Sequence, residues 1–431
     1  MTLKSFVGPI IHSADTGELV IHERAQIDVK DGKIIKINLN PDKNSCDREN
    51  VVFLKAGQFI IPGFIDAHIH AVQVPNLGTG YDKHLLEWLE NYTFPLERQY
   101  IDEEFADKVF DAVVQRTLKL GTTTACYFAS LYKSSSLILA KKVVKYGQRA
   151  FVGKINMNSC QFEDYFESLE DSIKETEGFI EDVRKMNSPL VEPIISPRFA
   201  LSCDTELMAK LGDLAKEKNV HVQTHISENK EEVEAVKTLF AQHPSYAEVY
   251  DAAGLLTDKT VLAHGVHLTD RELEIIKKRQ TAIIHCPNSN TNLKSGLCDV
   301  RRLRAANIKV GLGTDVSGGN NPLILDTMRS ALQASIHLSF IKSGYKPLDY
   351  KDVFYLATLG GAEALAINNK VGNFQVGKEF DALVIDLASP ESAIDNLKDY
   401  SLDEKLQRLI YCGDDRNIVK VYVSGQCVVK K

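Results

Sequence analysis

The sequence predicts a (β/α)8 barrel carrying a small β domain assembled from both ends of the chain. Two observations lead there. Through the middle of the chain one unit recurs: a short apolar run, a polar or chemically competent residue at its end, then a helical pattern. Toward either terminus this gives way to short strands set around tight turns.

Eight apolar runs can be placed, at residues 63–70, 122–128, 149–157, 192–199, 220–228, 260–265, 281–287 and 309–315. Each is nearly continuous rather than alternating, as expected of strands buried on both faces. Helical spacing lies between them. Phe105, Val109, Ala112 and Val113 follow Asp102, an N-cap residue by type, and the pattern stops at Gly121. Val233, Val236 and Phe240 mark a second helix, and Leu325, Met328 and Leu332 a third. Eight such units across roughly 250 residues match the size of a barrel. A doubly wound open sheet would show the same alternation; the placement of the histidines, below, argues against it.

At the N-terminal end, strands at 25–29 and 33–37 flank Asp31-Gly32. At the other end, strands at 382–385 and 419–423 are followed by Ser424-Gly425 and a last strand at 427–429. These read as one β domain of residues 1–60 plus 371–431, leaving 61–370 for the barrel.

Composition narrows the function. With 44% hydrophobic and 25% charged residues, the chain has the balance of a soluble globular protein. A net charge of −7 and scattered Lys and Arg argue against a nucleic-acid partner. No apolar run approaches the ~20 residues of a membrane helix. Residues 6–11 are too few, and too broken by Pro9, for a signal-peptide core, so a cytoplasmic location is expected. The eight cysteines are dispersed, with no C-x-x-C, and are expected to be reduced thiols, mostly small buried hydrophobes. That absence also excludes the zinc deaminases built on H-x-E and P-C-x-x-C.

His68-Ile69-His70 ends the first run. Alternate residues of a strand share a face, so both imidazoles aim at one point near the barrel axis. Alone, such a pair could simply cap a strand. But His225 ends the fifth run, His264 the sixth and Asp315 the eighth. A barrel makes these ends neighbours, whereas an open sheet would spread them too far to share an ion. His68, His70, His225, His264 and Asp315 therefore form a candidate metal site. Its N/O donors and open position suit one Zn²⁺ per chain, with Fe²⁺ as the alternative. Glu228, three residues after His225, stands where a general acid/base is needed. On its own it also fits a helix-start carboxylate favoured by the dipole.

Pro62 to His70 (PGFIDAHIH) resembles the opening motif of the amidohydrolase superfamily, and Gly372-Asn373-Phe374 through Asp381-Ala382 is similar to that superfamily's return into its small β domain. The resemblance implies hydrolysis by a metal-activated hydroxide. Dinuclear members carry a carboxylated lysine on the fourth strand, where this chain has Ser196-Pro197-Arg198-Phe199, which implies a mononuclear site. In that subclass the ligands are the two first-strand histidines, the fifth-strand histidine and the eighth-strand aspartate, so His264 is either a ligand or placed against the hydrolytic water.

Within the superfamily the chain resembles the guanine deaminases along essentially the whole barrel. The segments that carry this include Leu85 to Leu89 (LLEWL), Tyr92 to Pro95 (YTFP), Gly121 to Phe128 (GTTTACYF), His225 to Asn229 (HISEN), His285 to Asn290 (HCPNSN) and Gly413 to Asn417 (GDDRN). The resemblance implies a small-molecule substrate, guanine, and a homodimer. It implies that Gln73, Arg198 and Phe199 contact the purine, together with His225, Glu228 and Asp315. A planar amide or guanidinium suits a base edge and an aromatic ring suits its face. Singly, these could equally be a surface glutamine, a salt-bridged arginine and a core phenylalanine. The implied reaction gives xanthine and ammonia, with Asp315 and His264 taking the water proton and Glu228 protonating first the ring nitrogen and then the departing amine. Two rivals stand: the same chemistry on another aminopurine, a triazine or a pterin, and a metal-free scaffold protein.

Overall fold

The computed structural model describes residues 3–39, 41, 50–159 and 165–431. Its centre is a parallel barrel. The strands run Phe64–His70, Thr122–Phe128, Arg149–Gly153, Val191–Pro197, His221–Ile226, Thr260–His264, Ala282–His285 and Val310–Leu312, each paired with the next in chain order. The short strand Ile155–Asn156 continues the third and pairs with the fourth. All eight expected runs are therefore strands of one sheet. The last turns back onto the first: the amide of Asp315 donates to the carbonyl of His68 (2.9 Å), and that of His70 to the carbonyl of Val316 (3.1 Å). Asp66 pins this seam, accepting from the Thr314 amide (3.0 Å) and the Thr314 hydroxyl (2.5 Å).

Several strands stop short of the expected ends, for a local reason. Ser227 (φ 48°), His264 (φ 76°) and Asp315 (φ 48°) occupy left-handed backbone, which cannot extend a ladder. The chain leaves the sheet there and turns its functional residues over the rim. Such conformations are costly for residues other than glycine and gather where function over-determines them.

The helices at 103–119, 230–239 and 324–341 lie where apolar spacing put them. The Asp102 carboxylate caps the first, accepting from the amides of Glu104 and Phe105. Ile65, Ala67, Cys126, Phe151, Val261 and Ile284 form one buried cluster with Leu365, Ile367 and Val371.

The termini build a separate mixed sheet, in the order 426–430, 418–423, 382–386, 58–62, 4–13, 19–30 and 33–38. Strand Gln58–Pro62 sits in the middle of it and runs past residue 60, where the sequence placed the boundary. Pro9, which lacks a ladder donor, lies at an irregularity in the pairing of Lys4–Ser13 with Leu19–Lys30. One element of this region was not foreseen, the helix Leu402–Cys412. It opens on a Ser401/Glu404 capping box and buries Leu402, Leu406, Leu409 and Ile410, a helical period between the strands of this region.

Among the described residues no helix is long and apolar enough to cross a membrane. Cys126, Cys203, Cys286 and Cys298 are buried free thiols, and Cys412 and Cys427 are exposed ones. Cys46 and Cys160 lie outside the described residues.

Candidate active site

The strand ends bring the predicted residues to one place. His70 Nε2 and His225 Nε2 are 3.0 Å apart. Asp315 Oδ1 is 3.1 Å from His68 Nε2 and 3.4 Å from His70 Nε2. One donor atom from each of His68, His70, His225 and Asp315 falls within 4.8 Å of the others. The His225 ring donates through Nδ1 to the carbonyl of Arg198 (2.5 Å), which leaves the lone pair on Nε2, facing His70. His68 Nε2 is buried and lacks an aligned hydrogen-bond partner. Two imidazole nitrogens in van der Waals contact and an orphaned third, all beside a carboxylate, are what a shared cation satisfies. This donor set fits a transition metal.

Charge states agree with that fit. Burial pushes His70 down to about 4 and His225 well below its ordinary value, so both imidazoles are neutral, the form that ligates. Burial opposes ionisation of Asp315, but the imidazoles of His68, His70 and His264 around it hold it well below the usual carboxylate range.

His264 stands slightly apart. Its Nδ1 donates to the side-chain oxygen of Asn290 (2.9 Å), which aims Nε2 into the cavity, 3.3 Å from Glu228 Oε2 and 3.7 Å from Asp315 Oδ2. It forms a second possible donor group with His68, Cys286 and Asp315. Glu228 is buried, and burial, then the charges of Asp315 and Glu232, raise its carboxyl well above the ordinary range. Ser295 Oγ donates to it at 3.3 Å. Burial thus favours the protonated carboxyl of Glu228, the form that can donate a proton.

These groups open onto a cavity lined also by Gln73, Arg198, Phe199, Leu85, Trp88 and Leu293. Trp88 and Leu85 come from the short helix Leu85–Trp88, and Arg198 and Phe199 from the end of the fourth strand. A small apolar pocket with convergent polar groups at one side suits a flat heterocycle.

Residues 59–428 match the Amidohydrolase family. The chain is 44% identical to the guanine deaminase of Mus musculus over 98% of its own length and 96% of that protein. Against the guanine deaminase of Dictyostelium discoideum the figure is 42%, over 98% and 97%. The crystal structure of guanine deaminase from C. acetobutylicum with bound guanine in the active site matches with a TM-score of 0.93 and 38% identity, covering 99% of this chain and 100% of that one. This chain belongs to the guanine deaminases of the amidohydrolase family.

At the end of the fourth strand, directly after Pro197, stands Arg198. The structure shows what holds that arginine, which the sequence did not. Glu97, in the short helix Phe94–Glu97, is fully buried and pairs with Arg198 through both carboxylate oxygens (2.5 and 3.1 Å). Glu97 also accepts from Gln73 Nε2 (2.9 Å) and from the Tyr165 hydroxyl (2.7 Å). Nothing local in the sequence marks Glu97, an acidic residue two positions after a proline; its signal is a charge complementary to a residue 101 positions away. Asn290 and Asp66 stood inside motifs without a role and prove to be partners of His264 and Thr314.

Proposed function

We propose that this site hydrolyses guanine to xanthine and ammonia, with one Zn²⁺ held by His68, His70, His225 and Asp315 and with His264 beside it. Fe²⁺ is the alternative ion for the same neutral imidazole and carboxylate donors. The observation that carries the reading is the joining, in one cavity, of a metal-competent cluster to a polar pair, Arg198 and Gln73, suited to a base edge.

The ion, when bound, lowers the pKa of water toward ~7 and so makes hydroxide available at neutral pH. Asp315 and His264 receive the water's proton. Glu228 donates to the ring nitrogen next to the amino-bearing carbon, which makes that carbon electrophilic. The proton that Asp315 and His264 took from the water then recharges Glu228, which passes it to the amine so that it leaves as neutral ammonia. The added hydroxyl loses its own proton through Asp315 to Glu228 and becomes the carbonyl. Arg198 and Gln73 orient the base edge while Phe199 covers a face. Leu85, Trp88 and Leu293 exclude water from the remainder of the pocket. The barrel of residues 61–370 supplies all of these groups, and the β domain of 1–60 and 371–431 serves as its support.

The test is loss of guanine absorbance with stoichiometric ammonia release, measured with and without a chelator and with metal readdition. Guanine left unchanged by metal-replete protein would refute the reading, and turnover of another aminopurine, a triazine or a pterin in its place would assign the rival. A homodimer in the cytoplasm belongs to the same proposal; sedimentation and fractionation test it.

A further inference from the structure

Glu97 is 0% exposed and Arg198 3%. Removing both charges from water is expensive, and a buried ion pair is at best a break-even device for stability. What this pair achieves is geometric. The carboxylate's roughly four acceptor positions meet four donors: Arg198 Nη1 and Nη2, Gln73 Nε2 and the Tyr165 hydroxyl. Burial opposes ionisation of Glu97, but the Arg198 charge and the hydrogen bonds from Arg198 and Tyr165 together outweigh it, so the group stays a carboxylate and an acceptor only.

Each contact removes a degree of freedom from a side chain that lines the cavity. The two parallel hydrogen bonds fix the plane of the Arg198 guanidinium, whose carbon lies 4.9 Å from the centre of the Phe94 ring. Gln73 is fixed in rotation. Its Nε2 must face Glu97, because its Oε1 accepts from the amide of Ser317 (3.1 Å) and a flipped amide would oppose donor to donor. Glu97 itself does not line the cavity.

We infer that Glu97 is the positioning residue for base discrimination, locking Arg198 and Gln73 into one rigid frame without touching base or ion. This rests on the reading of the cavity as a guanine site. Arg198 only donates, so the frame selects a base with a ring-carbonyl acceptor at that edge. A site built to pair with a polar group rejects the analogue lacking it because its own groups are then left unpaired, provided they cannot swing away.

The experiment is equilibrium binding to the metal-loaded protein of two unreactive probes: hypoxanthine, which has the ring carbonyl, and purine, which lacks it. Wild type is expected to bind hypoxanthine at least ~10-fold more tightly, the worth of a hydrogen bond to a charged group. Glu97→Asp keeps the charge that neutralises Arg198 but is one methylene too short to reach every donor. Its preference is expected to shrink to within about twofold, with metal content at the wild-type level. Glu97→Gln, which replaces an acceptor oxygen by a donor, is expected to do the same where it folds. A merely structural residue would lower the active fraction and leave the ratio of the two affinities unchanged. A folded Glu97→Asp protein that keeps the preference overturns the inference, as does a wild type without one, or failure of both variants to fold. Guanine turnover by wild type is scored separately, so its absence refutes the proposed function and not this assignment.

Discussion

One wall of the cavity is made of His70, His225, His264 and Asp315, each delivered by the end of a barrel strand. The other is made of Arg198 and Gln73, held through a carboxylate on a short helix outside the sheet. The first is positioned by the backbone: ladder bonds place each strand and left-handed turns at His264 and Asp315 aim the side chains. The second is positioned mainly by side chains, with the Ser317 amide as the one backbone group that holds Gln73. The difference teaches that one fold can set one side of a cavity by strand topology and the other by a buried charge network.

The comparison can be broken most severely at the ion. Asp315→Ala removes the carboxylate that touches both first-strand histidines, and activity is expected below about 1% of wild type because the hydroxide source is lost with the metal. Elemental analysis and turnover on one preparation check this. A variant retaining both would move the centre elsewhere.

Glu228→Gln separates proton transfer from metal holding. General acid–base catalysis contributes about 10²–10⁴-fold, so kcat is expected to fall by that range while metal stoichiometry and melting temperature stay near wild type. Turnover within a few-fold of wild type would assign the residue to the helix start alone.

On the other wall, Arg198→Lys keeps the charge and loses the planar fork. The expected loss is about 10–100-fold in kcat/KM for guanine, equal to one charge-assisted hydrogen bond, with metal content unchanged. Loss of metal in this variant would mean the two walls are not separable.

The smallest effect is expected at Asn290→Ala. His264 then loses the acceptor that sets its tautomer, and removing such an orienting partner costs about tenfold, the low end of its usual range. An unchanged kcat would show that the imidazole is held by the cavity and not by Asn290.

The two walls also differ in how far the sequence disclosed them. His68, His70, His225, His264 and Asp315 were legible because each closes an apolar run, and a run's end is a place in a barrel. The eight strands were legible for the same reason, although Ser227, His264 and Asp315 cut their ends short through backbone angles that no hydropathy pattern encodes. Glu97 and Tyr165 were not legible. Their partner lies on the fourth strand, and a buried carboxylate on a helix of four residues looks, in sequence, like any solvated one. Helix Leu402–Cys412 was missed although its period was in plain view, because the neighbouring strands set the expectation for the whole segment.

Arg198 takes part in both walls by different atoms. Its carbonyl orients His225, and its guanidinium meets Glu97. Every amino acid carries a carbonyl, so the bond that prepares His225 survives any replacement at position 198, whereas the guanidinium is particular to one residue. A replacement at position 198 thus changes the side-chain wall and leaves the main-chain acceptor that orients His225. A library confined to codons 97 and 198, selected on other nitrogen heterocycles, tests whether that wall can be rebuilt while the acceptor on His225 stays in place.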